Sequence, residues 1–122
     1  NIPLVYADEN HIHWAIENLI SNAIRYSNPR TDIEITISKQ VNQVRFEITN
    51  HGSPITSEDT AHIFKKFFRS KDAKRSHTDG TGLGLFIAKS VTEASGGSIG
   101  FTSENASLTT FWFTLPRAKK GV

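Results

Sequence analysis

Residues 12–27 read IHWAIENLISNAIRYS, and this stretch carries the strongest structural signal in the chain. Its apolar residues recur at intervals of three and four positions, as they do on one face of an α-helix. They are Ile12, Ala15, Ile16, Leu19, Ile20, Ala23 and Ile24. Asp8 is a suitable N-cap, and the turn dipeptide Asn28-Pro29 follows the last of these residues. The stretch therefore predicts an amphipathic helix with one face toward a core.

Strand patterns and a further helix follow this segment. Apolar and polar residues alternate over residues 32–38 and again over residues 44–48, which predicts a half-buried antiparallel hairpin. The helical spacing returns between Leu83 and Ala94, and Gly96-Gly97 ends it. The other predicted elements are strands at about 4–7, 99–101 and 111–115, and a short helix at about 56–64. This order predicts an α+β two-layer sandwich, in which a mixed β-sheet is packed on one face by about three helices.

The composition is typical of a single globular domain. The 122 residues contain no cysteine, which excludes a disulfide framework, a thiolate zinc site and thiol catalysis. No apolar run approaches the roughly 20 residues of a membrane-spanning helix. A net charge of only +2 gives little support to a nucleic-acid partner, and none is predicted. Position 1 is Asn rather than Met, so we expect the natural chain to begin further upstream.

Basic residues are concentrated in one short segment. Six of the fourteen lysines and arginines lie between positions 65 and 75: Lys65, Lys66, Arg69, Lys71, Lys74 and Arg75. The segment is either a solvated basic loop or a patch for a polyanion, such as the phosphates of a nucleotide.

Three glycines stand on alternate positions just before the second amphipathic helix, in the run Gly80-Thr81-Gly82-Leu83-Gly84-Leu85. Alternating glycines let a ligand approach the backbone, and the unpaired N–H groups at the start of a helix attract phosphate. The run lacks the Gly-Lys-Ser/Thr of a P-loop and is not the dinucleotide-binding fingerprint. By itself it is equally consistent with a plain glycine-rich turn.

Asn18 and Asn22 are four positions apart on the first helix and share one face, with Arg25 and Tyr26 about one turn further on. An amide oxygen is a hard ligand that suits Mg²⁺, which takes few protein ligands and completes its shell with phosphates and water. Arg25 could meet a phosphate, and Tyr26 could pack against a base. The alternative is the ordinary polar face of a surface helix.

Together these segments resemble the sequence boxes of sensor histidine kinases. Residues 16–27 resemble the N box, residues 63–69 the F box, residues 80–85 the G2 box and residues 109–116 the closing strand. The chain is accordingly similar to the catalytic, ATP-binding domain of that family, which shares a superfamily with gyrase, Hsp90 and MutL. The resemblance implies the Bergerat-type fold over residues 1–116, with an ATP lid at about 65–81 and a tail at 117–122.

The resemblance also implies roles at the phosphate end of a nucleotide site. Asn22 would hold Mg²⁺, while Asn18 and Arg25 would act near the β- and γ-phosphates as catalytic groups. Arg69 is placed to meet phosphate or a partner domain. The backbone of the glycine run would receive phosphate oxygens; its members are Gly80, Thr81, Gly82, Leu83, Gly84 and Leu85.

Other residues would border the base. Tyr26 and Thr109 match aromatic and adenine-pocket positions, and Phe64 matches an aromatic that anchors the lid, although plain core packing explains Phe64 equally well. The G1 box is represented by residues 50–55, which include Gly52 and Ile55. There the chain departs from the family's Asp-x-Gly-x-Gly-Ile pattern, because Asn50 replaces the aspartate and Pro54 the second glycine.

The predicted function is therefore an ATP- and Mg²⁺-binding kinase domain that donates the γ-phosphate to a histidine. That histidine would lie on an upstream dimerisation domain, in a homodimeric parent that signals to a response regulator. The resemblance implies a cytoplasmic location for this domain, either in a soluble parent or as the cytoplasmic part of a membrane-bound sensor. The isolated chain is expected not to phosphorylate itself. Two alternatives stay open: a degenerate module that senses nucleotide or binds a partner without kinase activity, and an ATPase or serine kinase of the same superfamily.

Overall fold

A helix at the start of the chain, α1 (Glu9–Tyr26), agrees with the predicted periodicity. The computed structural model describes residues 2–5, 7–52, 62–65, 84–105 and 108–118. Asp8 caps α1, since its carboxylate accepts a hydrogen bond of 3.1 Å from the backbone N–H of His11. Ala15, Leu19 and Ala23, one turn apart, are fully or almost fully buried. The helical spacing of the apolar residues thus positions α1 on the core as predicted.

Four strands form one sheet: β1 (Glu34–Lys39), β2 (Gln43–His51), β3 (Ser98–Asn105) and β4 (Leu108–Pro116). The strand order is β1-β2-β4-β3, and every neighbouring pair is antiparallel. The predicted α+β sandwich is confirmed. The expected mixed sheet would contain a parallel pair of strands, but no two of the described strands pair in parallel. The hairpins β1–β2 and β3–β4 are joined by the antiparallel pairing of β2 with β4.

The second described helix, α2 (Gly84–Ala94), lies beside α1 on the same face of the sheet. Gly96, two residues beyond its end, has a φ of 84°, and the N–H of Gly97 bonds to the carbonyl of Thr92 at 2.9 Å. The core fills the space between the helices and the sheet. Its buried hydrophobic members are Ala15, Leu19, Ala23, Phe46, Ile48, Ile63, Ala88, Phe111, Phe113 and Leu115.

The edge strand β1 is more exposed than its alternation suggests. Ile35 and Ile37 face Ile48 and Phe46 across the ladder, yet they are 49% and 51% exposed. The reason is that α1 packs over β2 and against α2, which leaves β1 uncovered at the margin of the sheet. Alternation identified the strand, but burial depended on the position of the helix.

Some predicted elements are only partly described. Residues 62–65 form a turn at the end of the predicted short helix, and the remainder of that helix and of the lid lies outside the described residues. The predicted first strand is represented by a single antiparallel bridge between Val5 and Arg117. None of the helices that the structure describes is long and apolar enough to cross a membrane.

Candidate functional site

The core face of β2 ends in a polar residue. Its inward side chains Val44, Phe46 and Ile48 are buried and apolar, and the next inward side chain is Asn50, only 3% exposed. None of the hydrogen bonds among the described residues involves the side-chain amide of Asn50. A buried amide without a partner destabilises a protein by about 1–3 kcal/mol. This position is therefore suited to a polar group of a ligand.

A second buried polar residue lies beside Asn50. Thr109 on β4 is its partner in the strand register and is 4% exposed. The Thr109 hydroxyl lies 3.4 Å from the hydroxyl of Ser103, which is long for an O–H···O hydrogen bond. Both hydroxyls therefore retain capacity for a ligand. Sequence reasoning did not select Ser103, although it continues the inward period of Ile99 and Phe101 along β3.

The end of α1 is fastened to the end of β2 next to Asn50. Ser27 forms an isolated bridge with Gly52, and the N–H of Asn28 bonds to the carbonyl of His51 at 2.7 Å. A Cβ atom on Gly52 would lie 1.9 Å from the carbonyl oxygen of Tyr26 and 3.3 Å from Nδ2 of Asn50. Only glycine lets the two backbones approach so closely. This contact brings the last turn of α1 to the polar end of the core.

The start of α2 meets α1 at Asn18. The Asn18 amide donates from Nδ2 to the carbonyl of Trp14 at 2.9 Å. Its oxygen lies 3.1 Å from the position of a Cβ atom on Gly84, the first residue of α2. Two residues selected from separate motifs are thus in contact, and they place the N-terminus of α2 beside the polar face of α1.

The remaining polar residues of that face are available for a ligand. Asn22 is half-buried, and no hydrogen bond within the described part of the chain uses its side chain. Arg25 is exposed and forms no ion pair with another described residue, while Tyr26 is half-buried. An uncommitted amide oxygen and a cation one turn apart can serve a metal–phosphate group. Among the described residues, no cluster of three or more His, Asp or Glu could hold a metal by itself.

The two apolar residues selected for the site pack into the structure. The ring of Phe64 is 6.3 Å from both the Phe101 and the Phe111 ring, edge-on to the latter, and Leu85 packs against the core. Phe64 is therefore partly buried and packs against the core, as the core-packing interpretation expects. The selected residues that lie outside the described ranges are Ile55, Arg69, Gly80, Thr81, Gly82 and Leu83.

Comparisons with known proteins show the family of the chain. Residues 7–119 match the family described as "Histidine kinase-, DNA gyrase B-, and HSP90-like ATPase". The heme sensor protein HssS of Staphylococcus aureus is 39% identical over 105 residues, which make up 86% of this chain and 22% of that protein. The chain thus spans about a fifth of the curated relatives that it matches.

Solved structures of histidine kinases share the fold. The catalytic domain of histidine kinase ThkA superposes with a TM-score of 0.79 at 32% identity, covering 94% of this chain and 73% of that one. Full-length ShkA in complex with AMPPNP gives a TM-score of 0.81 at 29% identity, covering 99% of this chain and 24% of that one.

Proposed function

Since this chain belongs to the histidine kinase-, DNA gyrase B- and HSP90-like ATPase family, we propose that it binds MgATP and donates the γ-phosphate to a protein histidine. The observation that carries the proposal is the amide of Asn50, which is buried and has no hydrogen-bond partner among the described residues. It lies at the polar end of the core, where a planar base would replace the missing hydrogen-bond partner. The phosphates would then extend toward α1 and the start of α2.

The base end of the proposed site consists of neutral polar groups. Asn50 and Thr109 offer hydrogen bonds from within the protein, and the contact between Ser27 and Gly52 holds Tyr26 nearby. Their burial excludes water, so hydrogen bonds to a ligand are not weakened by competition with solvent. This supports recognition of an uncharged heterocycle rather than of a charged group.

The phosphate end combines an oxygen ligand with positive charge. Asn22 would hold Mg²⁺, since its side-chain oxygen is a ligand type that suits this ion and its amide forms no hydrogen bond with the rest of the described chain. When bound, Mg²⁺ neutralises phosphate charge and orients the transferring group. Arg25 would stabilise charge that develops on the γ-phosphate, and Asn18 would hold the start of α2 next to it. The chain's contribution to catalysis is positioning and electrostatic stabilisation.

The partners follow from this chemistry. We expect the acceptor histidine on a dimerisation domain upstream in the parent chain, so that the parent acts as a homodimer and passes the phosphate to a response regulator. Among the described histidines, His13 pairs with Glu17 at 2.8 Å, and His11 stacks on Trp14 with ring centroids 5.7 Å apart. A cytoplasmic location is part of the proposal.

The test is phosphate transfer from radiolabelled ATP. The chain is incubated with Mg²⁺ and ATP, alone and with the parent's dimerisation domain added in trans. We expect acid-labile phosphohistidine on the added domain only. Nucleotide binding without any transfer would instead favour a degenerate sensing module, for which the replacement of the expected aspartate by Asn50 is the motivating observation. Stable phosphohistidine on this chain alone would contradict the separate-acceptor arrangement.

A further inference from the structure

We propose that the base site accepts 6-amino and 6-oxo purine nucleotides with similar affinity, so that GTP binds nearly as well as ATP. The inference rests on the proposed function, since it concerns the same nucleotide site. It depends on three buried or half-buried groups at the end of the core: the amide of Asn50 and the hydroxyls of Thr109 and Ser103.

The chemistry of an amide allows this ambivalence. Asn50 presents an acceptor, Oδ1, beside a donor, Nδ2. Adenine presents a 6-amino donor beside the N1 acceptor, and guanine presents a 6-oxo acceptor beside the N1–H donor. The two edges are mirror arrangements of donor and acceptor. Rotation of the amide by half a turn therefore converts a match to adenine into a match to guanine.

Nothing in the described surroundings selects one orientation of the amide. Asn50 is only 3% exposed, and no described group hydrogen-bonds to its side chain. Gly52, whose Cβ position would lie 3.3 Å from Nδ2, has no side chain to favour either end. The orientation therefore follows the ligand, and neither purine must break an existing hydrogen bond.

The neighbouring groups are equally tolerant. Thr109 is the register partner of Asn50, and its hydroxyl is 3.4 Å from that of Ser103. A hydroxyl can donate or accept by rotation of its hydrogen. All three groups are neutral, so their hydrogen-bonding character does not change with pH in the physiological range. None of these three side chains is therefore an acceptor only.

A carboxylate at position 50 would match neither purine edge in full. An ionised carboxylate accepts hydrogen bonds only, so one oxygen can accept from the 6-amino group of adenine or from the N1–H of guanine, while the other faces an acceptor, N1 of adenine or the 6-oxo group of guanine. Such an unpaired buried acceptor lowers affinity by about tenfold to a hundredfold. The substitution Asn50→Asp therefore isolates the effect of the amide.

The experiment measures the dissociation constants of ATP and GTP, with Mg²⁺, for the wild-type chain, for Asn50→Asp and for Asn42→Asp. Asn42 directly precedes β2, at the end of the strand away from Asn50, and is exposed, so its substitution controls for the added charge. For the wild type and the control we expect ATP and GTP constants within about tenfold of each other. For Asn50→Asp we expect the binding of both ATP and GTP to weaken by about tenfold or more, because each purine edge loses the amide donor; unchanged binding of both would overturn the inference.

A measurement on the wild-type chain alone covers the case in which Asn50→Asp does not fold. The triphosphate of unsubstituted purine riboside lacks a group at position 6 and should bind more weakly than both ATP and GTP. Wild-type preference for ATP above about tenfold would overturn the inference and leave the proposed function intact. Equal binding of all three nucleotides would also overturn it, since the base would then not be read at position 6. Failure of every nucleotide to bind would overturn the proposed function as well.

Discussion

The side-chain oxygen of Asn18 lies 3.1 Å from the position that a Cβ atom on Gly84 would occupy. This contact joins α1 to the first residue of α2, two segments that are far apart in the chain. Because Nδ2 of Asn18 is held by the carbonyl of Trp14, the amide cannot turn away without losing that hydrogen bond. Asn18 therefore limits the room for a side chain at position 84.

Gly84→Ala should test this spacing. The added methyl group would push on Asn18, and we expect the free energy of unfolding to fall by about 1 kcal/mol, the lower end for overpacked sites. In an Asn18→Ala background the same change should be neutral or stabilising, because alanine is a better helix former than glycine. Urea unfolding of the wild type, the two single variants and the double variant measures the coupling. Equal effects of Gly84→Ala in both backgrounds would show that the two residues do not interact.

Asn22→Ala should weaken the binding of MgATP far more than that of metal-free ATP. The substitution removes an uncommitted side-chain oxygen that we assign to Mg²⁺, and loss of a group that supports a metal lowers affinity by about tenfold or more. Calorimetric titrations with Mg²⁺ and with a chelator separate the two effects. Asn10→Ala, on an exposed position of the same helix, is the matched control. Equal losses under both conditions would remove the metal role.

Gly52→Ala should be strongly destabilising. Its Cβ atom would overlap the carbonyl oxygen of Tyr26 at 1.9 Å, so the end of α1 must separate from the end of β2. We expect a loss of about 3 kcal/mol in the free energy of unfolding, at the upper end for overpacking. Nucleotide binding should weaken in parallel, because the polar end of the core would open. His51→Ala, which leaves the backbone bond from Asn28 in place, should change stability by less than 1 kcal/mol. A mild effect of Gly52→Ala would show that this contact is not tight in solution.

Ile48→Ala and Ile35→Ala provide a paired test of the sheet. The two residues face each other in the register of β1 and β2, but Ile48 is fully buried and Ile35 is 49% exposed. Truncation of a buried isoleucine destabilises by about 2–5 kcal/mol, whereas we expect about 1 kcal/mol for the exposed partner. Thermal or urea unfolding of both variants gives the difference. Similar losses would mean that β1 is covered in solution.

Most of the elements could be predicted from the sequence, because their signals are local. The three- and four-residue spacing of α1, the capping by Asp8 and the alternation along β2 each depend on residues within a few positions of one another. The candidate residues of the site were also identified by their type and their resemblance to known motifs. Their arrangement in space was not accessible in this way.

The tertiary structure alone decided which of these residues meet. Pairing of β2 with β4 sets Asn50 beside Thr109, and packing of α2 on α1 sets Gly84 against Asn18. The same packing leaves β1 uncovered, so identical alternation produces a buried Ile48 and a half-exposed Ile35. Periodicity specifies which face of an element is apolar, since it follows from the geometry of a single helix or strand. Which elements cover that face depends on long-range packing, and that packing buries the Asn50 amide without a hydrogen-bond partner in the part of the chain that the structure describes.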